Sequence, residues 1–519
     1  MKLTQATLLA LATASAYASP PSKKEPKCRF ALDWTTEEIV KNPDKFAWDM
    51  LYWEGQFHQD KIAYNADNGM TLDGRYIDYK TGKPITEKPF SASSKEALQI
   101  MLYTQGVAGN PEAARFLSPK KPKNAAKVVT DIMEKKLKSY LKFNETYPGY
   151  GGFLPWMTTI NKDVTPTDDW FDRVPGLDNG QLVWAVYGFI HALEESGKKH
   201  HRKLAQGWRE WLDYTKTTAD KVFYDSDGKV CAVTAMKSMK LSPTNPDQEY
   251  KCETKTYLND PYEGELMTYF LQLFSGLSDE DKKAMWEYKK WQLISDEYEQ
   301  GGVGPVTVER GFWFSAHEPW KVLQLPYYDS DIMRRVYHNA ERVRTCNGVV
   351  TKSPGLYASI NNYTDPATNE VGNYISPAGI PSIANNTEQY HVVATPYGSW
   401  PTMLFDRGVG LAWWHNMVSG KKMQNQYGST EGFKIDGTGV SSMVTWDSKI
   451  LTVVSLLGGS KDIVGAAMKK DGIYENFLAQ VNRDYSRTFT KLKGEDVELC
   501  LPQHAVPDKG LKDYTSCKA

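Results

Sequence analysis

Apolar residues recur along most of this chain at the three-and-four spacing of an α-helix, and they do so in two ways. In residues 123–143, Ala125, Val129, Ile132, Met133, Leu137, Tyr140 and Leu141 fall on one face, with lysines opposite. Residues 201–222 repeat the arrangement with Leu204, Trp208, Trp211, Leu212, Ala219 and Val222. Residues 278–298 open on Ser278 and Asp279-Glu280-Asp281, which suit an N-cap and a first turn, then run through Met285, Tyr288, Leu293 and Ile294. These patterns predict one-sided helices, dry on one face and wet on the other. Four further stretches, 182–193, 266–274, 409–414 and 450–457, are apolar nearly all round. A helix of that kind must be surrounded by other elements.

An inner ring of buried helices wrapped by an outer ring of one-sided ones accounts for both patterns. The expected fold is all-α, an (α/α)6 barrel (a toroid) with loop-rich insertions and short strands. A superhelix of stacked helix pairs would show a repeat period, and none is visible. Strand signals lie within 222–233, around the turn Asp225-Ser226-Asp227-Gly228. No linker interrupts the pattern, so residues 19–519 are expected to form one domain, with a tail from 495 tied down by cysteine.

The 519 residues carry 62 Lys and Arg against 63 Asp and Glu, a formal net charge of −1. So balanced a chain has no field that favours nucleic acid or an anionic membrane as partner. With 41% hydrophobic and 24% charged residues the composition is that of a folded protein. The 16 Trp and 30 Tyr stand out. Rings fill cores, and this many also suit a long groove that stacks on the apolar faces of sugars.

Residues 1–18 combine a basic start at Lys2, an apolar run from Leu8 to Ala16 and the small-x-small sequence Ala16-Tyr17-Ala18. This is the pattern of a secretory signal peptide, so a secreted, extracellular protein is expected. Export makes the cysteines Cys28, Cys231, Cys252, Cys346, Cys500 and Cys517 candidates for disulfides. Cys231 and Cys252 flank a polar insertion they could staple. Cys500 and Cys517 bracket the tail, which leaves Cys28 for Cys346. Asn144-Glu-Thr, Asn362-Tyr-Thr and Asn385-Asn-Thr are glycosylation acceptors in such a setting.

Three sets of carboxylates share a position. Asp178 lies just before the buried run at 182, Glu263 and Glu265 just before the run at 266, and Asp447 just before the run at 450. If those helices form an inner ring, the acids converge on one mouth of it. Each has a ring nearby: Trp170, Tyr262 and Trp446. Helix capping competes as an explanation, since Asp178 with Gln181 resembles a capping box. Two carboxylates across a sugar are what glycosidic cleavage requires, one protonated to serve the leaving oxygen and one ionised to activate water. A helix N-terminus favours the ionised form, which suits a base at Asp447 and opposes an acid at Glu263. Glu263 would need burial or neighbouring like charge to stay protonated.

Turns rich in rings supply further candidates. Residues 311–320 hold Trp313, His317, Glu318 and Trp320; Tyr397 and Trp400 sit in 395–400, and Tyr427 precedes Gly428. Stacking on a pyranose face beside a charged group that meets its hydroxyls is a common way to bind saccharides. Glu265 and Trp446 join this set of expected sugar contacts. His200-His201 is read as solvated, and the turn at 225–228 lacks the terminal glutamate of a calcium loop. No zinc-protease, phosphate-loop, dinucleotide or serine-hydrolase motif is present.

These same stretches carry a resemblance. Leu177-Asp-Asn-Gly180, Tyr262-Glu-Gly-Glu265, Trp313-Phe-Ser-Ala-His-Glu318 and Ser442-Met-Val-Thr-Trp-Asp-Ser-Lys449 resemble the secreted fungal endo-β-1,2-glucanases of glycoside hydrolase family 162 over nearly the whole mature chain. The bacterial family 144 enzymes are their distant structural relatives. The resemblance implies an (α/α)6 barrel and endo-hydrolysis of linear β-1,2-glucan to sophorooligosaccharides with inversion, with no metal or organic cofactor. It implies Glu263 as general acid and Asp447 as general base, the base reaching water through a substrate hydroxyl. Asp178, His317 and Glu318 become substrate contacts near the cleavage point. A monomer with no nucleic-acid or membrane partner is expected. Two other readings stay open: a saccharide-binding toroid without catalysis, and an (α/α)-barrel polysaccharide lyase. The lyase reading is disfavoured because few Lys or Arg lie near these acids in sequence to neutralise a uronate.

Overall fold

A computed structural model describes residues 25–517. The expected signal peptide, 1–18, lies outside the described residues. The one-sided patterns form helices at Ala125–Thr146 and Lys199–Phe223, burying Met133, Tyr140, Trp208, Trp211 and Leu212. Leu141, expected on the dry face, is exposed. The all-round apolar patterns form Gly176–Glu195, Glu265–Phe274, Arg407–Val418 and Trp446–Leu456. A further helix, Ser93–Val107, is buried on nearly every side.

The buried helices touch one another in order. Gly176–Glu195 packs between Ser93–Val107 and Glu265–Phe274, and Trp446–Leu456 packs against Ser93–Val107 and Trp400–Phe405. A Cβ at Gly180 would lie 2.6 Å from the backbone nitrogen of Met267, so only glycine permits this approach of the two helices. The one-sided helices lie outside, Lys199–Phe223 against Gly176–Glu195 and Ala125–Thr146 against Ser93–Val107. One continuous apolar core runs through this arrangement, from Phe30 to Tyr514.

The helix expected over 278–298 is shorter. Ser278 Oγ caps it, accepting from the Asp281 amide at 3.1 Å, but the helix ends at Lys289. Residues Ser295–Gln300 instead pair with Val303–Glu309 across the Gly301-Gly302 turn, where both glycines have positive φ. Ladder hydrogen bonds and burial of Tyr298 outweigh the helical spacing of Leu293 and Ile294. His201 is also buried, its Nδ1 2.6 Å from Ser196 Oγ, and is not the solvated residue expected.

The short strands do positional work. Met443–Thr445 pairs with Gly74–Ile77, which pairs in turn with Pro84–Lys88. Arg173–Pro175, Val233–Met236 and Tyr250–Cys252 form a sheet whose first strand leads directly into Gly176–Glu195. The Cys231–Cys252 disulfide staples that insertion as expected. The other expected pairs are corrected: Cys346 is bonded to Cys500, and Cys28 is also disulfide-bonded. The tail folds back along Asp331–Val350, where the Cys500 amide donates to Thr345 Oγ1 and its carbonyl accepts from Trp413 Nε1. Proximity in sequence to Cys517 carried no information about that path.

Candidate active site

The sheet made by Gly74–Ile77 and Met443–Thr445 fixes one wall of a cavity of about 350 Å³. Asp447 enters it from the first turn of Trp446–Leu456 and Asp178 from the first turn of Gly176–Glu195. Neither acid caps its helix, because Thr445 and Pro175 occupy the N-cap positions. His317 and Trp320 enter from the ring-rich turn, and Gln181 from one turn beyond Asp178. Glu263 stands beside His317, its Oε1 4.0 Å from His317 Nε2. The turn that aims Glu263 is held by Asp260, whose Oδ2 accepts from the amides of Tyr262 and Gly264 at 3.0 and 3.2 Å.

The two expected catalytic acids sit in contrasting fields. Glu263 is 12% exposed and, among the described residues, forms no ion pair with Lys or Arg. Burial, then the charges of Asp260, Glu318, Asp178 and Asp447, hold its carboxyl well above the ordinary range. Burial, reinforced by like charge from Asp260 and Glu318, thus resolves the conflict with the helix end that sequence reasoning raised. Asp447 instead receives Lys95, with Nζ 3.1 Å from its Oδ2. Lys95 is buried, yet Asp447 and Asp73 outweigh the burial and raise its pKa, so it stays charged. Burial lowers the pKa of the His317 imidazole, against the opposing charge of Asp447. Burial likewise raises Asp178, against the Trp156 indole N–H that donates to its Oδ2 at 3.0 Å.

Several buried polar atoms here have no protein partner: Glu263 Oε2, His317 Nδ1, Gln181 Oε1 and Trp320 Nε1. Leaving a buried group unpaired costs about 1–3 kcal/mol. Four in one place form a set of donors and acceptors waiting for hydroxyls. Trp156, 37% exposed, stacks on Trp170 with centroids 4.5 Å apart and gives the cavity a flat apolar rim. Among the described residues no group of three or more His, Cys, Asp or Glu is arranged to hold a metal ion.

Other expected sugar contacts lie elsewhere, each for a visible reason. Glu265, one turn from Glu263, is buried in a pair with Lys321 at 3.0 Å and accepts from Tyr327 at 2.5 Å. Glu318 turns inward, where its Oε1 accepts from the amides of Trp313 and Ser315 and fixes the turn that carries His317. Trp400 and Trp446 are fully buried, the Trp446 indole donating to the Ala63 carbonyl at 2.5 Å. Tyr397 is buried and donates to the Ser359 carbonyl; Tyr427 is buried beside Asn425. Trp313 is half-buried and outside the cavity lining. These rings are core because a ring this large gains more from complete burial than from a groove face.

Sequence reasoning missed Asp73, Lys88, Phe90, Lys95, Trp156, Asn361, Tyr374 and Glu431, all of which line the cavity. The expectation of few cations is therefore corrected: two lysines are present, each matched by carboxylates. The run Ser93-Ser94-Lys95-Glu96 reads as a solvated first turn, and only the burial of both charges marks it otherwise.

The family described as endo-β-1,2-glucanase SGL, glycoside hydrolase family 162, matches residues 70–518. The chain belongs to this family. Its structure is similar to that of the endo-β-1,2-glucanase from Talaromyces funiculosus in complex with sophorose, with 58% identity and a TM-score of 0.95. That match covers 95% of this chain and all of the other. The same values hold for a Glu-to-Gln mutant of the Talaromyces enzyme with β-1,2-glucan. The endo-β-1,2-glucanase from Chitinophaga pinensis, bound to sophorotriose and glucose, shares the fold at 13% identity and a TM-score of 0.55, over 84% of this chain and 98% of its own. A comparison with curated protein sequences returns no match.

Proposed function

We propose that this family 162 protein cleaves linear β-1,2-glucan internally to sophorooligosaccharides, with inversion, Glu263 acting as general acid and Asp447 as general base. The observation that carries the chemistry is the contrast between two carboxylates: Glu263, beside the cavity residue His317, has its pKa raised by burial and like charge, and Asp447, in the cavity lining, is paired with a lysine. The sophorose and β-1,2-glucan complexes of the Talaromyces enzyme support the substrate.

In this reading Glu263 gives its proton to the glycosidic oxygen as the carbon–oxygen bond breaks. Asp447, ionised, draws a proton from water on the opposite face of the ring, through a substrate hydroxyl as the family resemblance implies. Water attacks the anomeric carbon and the configuration inverts. Gln181, His317 and Asp178 meet sugar hydroxyls, and Trp156 carries an apolar sugar face. The fold that supports this is an (α/α)6 barrel in a single domain, supported by the ordered contacts among buried helices with one-sided helices outside. The chain acts as a secreted monomer, and its disulfides suit an oxidising compartment.

The experiment is digestion of linear β-1,2-, β-1,3- and β-1,4-glucans, following reducing ends, polymer length and the first anomer by NMR. Only β-1,2-glucan is cut, mid-chain, and the α-anomer forms first. No new reducing ends from β-1,2-glucan would overturn the activity; a β-anomer formed first would overturn inversion.

A further inference from the structure

Lys95 bridges two carboxylates that come from opposite ends of the chain. Its Nζ lies 3.1 Å from Asp447 Oδ2 and 3.1 Å from Asp73 Oδ1, while Lys88 Nζ lies 2.7 Å from Asp73 Oδ2. The result is a line of alternating charge, Asp447, Lys95, Asp73, Lys88, along the cavity wall. The backbone beneath it is fixed. Gly74 pairs with Thr445, and the Trp446 amide donates to the Asp73 carbonyl at 3.1 Å. A Cβ at Gly74 would lie 2.2 Å from the Val444 carbonyl oxygen, so the strands meet this closely only through glycine.

The placement of Lys95 runs against local preference. It is the third residue of Ser93–Val107, where the helix dipole disfavours a cation, and it is 8% exposed. A lysine placed so is stabilised by the two carboxylates it joins and by the Phe90 ring, whose centroid lies 5.7 Å from its Nζ. We infer that Lys95 is a positioning residue for the base: it pins Asp447 Oδ2 from one side while Asp73, itself held by Lys88, anchors Lys95 from the other. The other titratable groups acting on Asp447 are His317, Asp178, Glu263, Tyr374 and Tyr397. None of them is a fixed cation, so among the described residues Lys95 supplies the positive charge in contact with it.

This rests on the assignment of Asp447 as base. Without Lys95, Asp447 loses its salt-bridge partner, whereas Asp73 keeps Lys88. The test is kcat, KM and glucan affinity on linear β-1,2-glucan for Lys95→Met, Lys95→Arg and Asp73→Asn. Lys95→Met lowers kcat about 10- to 100-fold with KM and affinity changed much less. Lys95→Arg, which keeps the cation, restores most of that loss, and Asp73→Asn, which releases the far anchor of Lys95, lowers kcat by less than Lys95→Met does. Should Lys95→Met fail to fold, Lys95→Arg against Asp73→Asn carries the same comparison. A wild-type kcat in folded Lys95→Met, or a loss confined to KM, overturns the inference. If Asp447→Asn itself keeps turnover, the base assignment falls first; if it is inactive while Lys95→Met keeps its kcat, only the role of Lys95 falls.

Discussion

Glu263 and Asp447 are the same kind of group at the same kind of place, a carboxylate at the N-terminal end of a buried helix. Around Glu263 the structure gathers burial and four acids, with a neutral histidine as the nearest partner. Around Asp447 it gathers a lysine, itself braced by a second carboxylate and a second lysine. Glu265 makes the contrast sharper. It is two residues from Glu263, yet it is locked to Lys321 and Tyr327. Function at these positions is set by which charges face the carboxyl, and the helix end is common to all three.

The comparison breaks most visibly if the two acids are exchanged for neutral isosteres. Glu263→Gln and Asp447→Asn should each lower kcat by about 10²- to 10⁴-fold while circular dichroism and glucan binding are retained. Either variant turning over at near wild-type rate while folded removes its acid from the mechanism. Next in size is the structural counterpart. Lys321→Met leaves Glu265 buried without its cation and should cost about 3–5 kcal/mol in a urea titration. A wild-type midpoint there would mean that Glu265 is not the fixed structural group its partners indicate.

The pH dependence of stability sharpens the acid side. Glu263 has a folded pKa raised above its ordinary 4.5. The folded protein therefore keeps a proton that the unfolded chain releases, and stability is lost as pH rises from 4.5 through the folded value. Glu263→Gln should melt higher than wild type at pH 7, with the gap closing as the pH falls below that range. A lower melting temperature at pH 7 would contradict the burial of an unmatched acid. Activity should fall on the alkaline side as Glu263 ionises. The smallest effect belongs to the rim: Trp156→Ala should raise KM roughly two- to tenfold through lost stacking, with kcat less affected. An unchanged KM would place the sugar face elsewhere.

Much of the architecture was legible from spacing. All-round apolar runs at 182–193, 266–274 and 450–457 became buried helices, and one-sided runs became the helices outside them. Periodicity failed at Leu293 and Ile294, where strand pairing competed with it, and it could not follow the tail to Cys346. Of the residues that line the cavity, Asp178 and Asp447 were legible from helix starts, and His317 and Trp320 from a ring-rich turn. Trp400, Trp446 and Tyr397 were not separated from them, since a ring in a groove and a ring in a core have the same local sequence.

By itself, then, the sequence determined which segments must be buried helices and where acids enter them, because solvent exclusion and capping are written in nearest neighbours along the chain. The tertiary structure decided which acid is buried among like charges, which is paired with a lysine in the cavity wall and which is locked in a buried pair. Those states depend on charges such as Lys95, Asp73 and Lys321, brought within a few ångströms by strand pairing and helix packing between residues hundreds of positions apart.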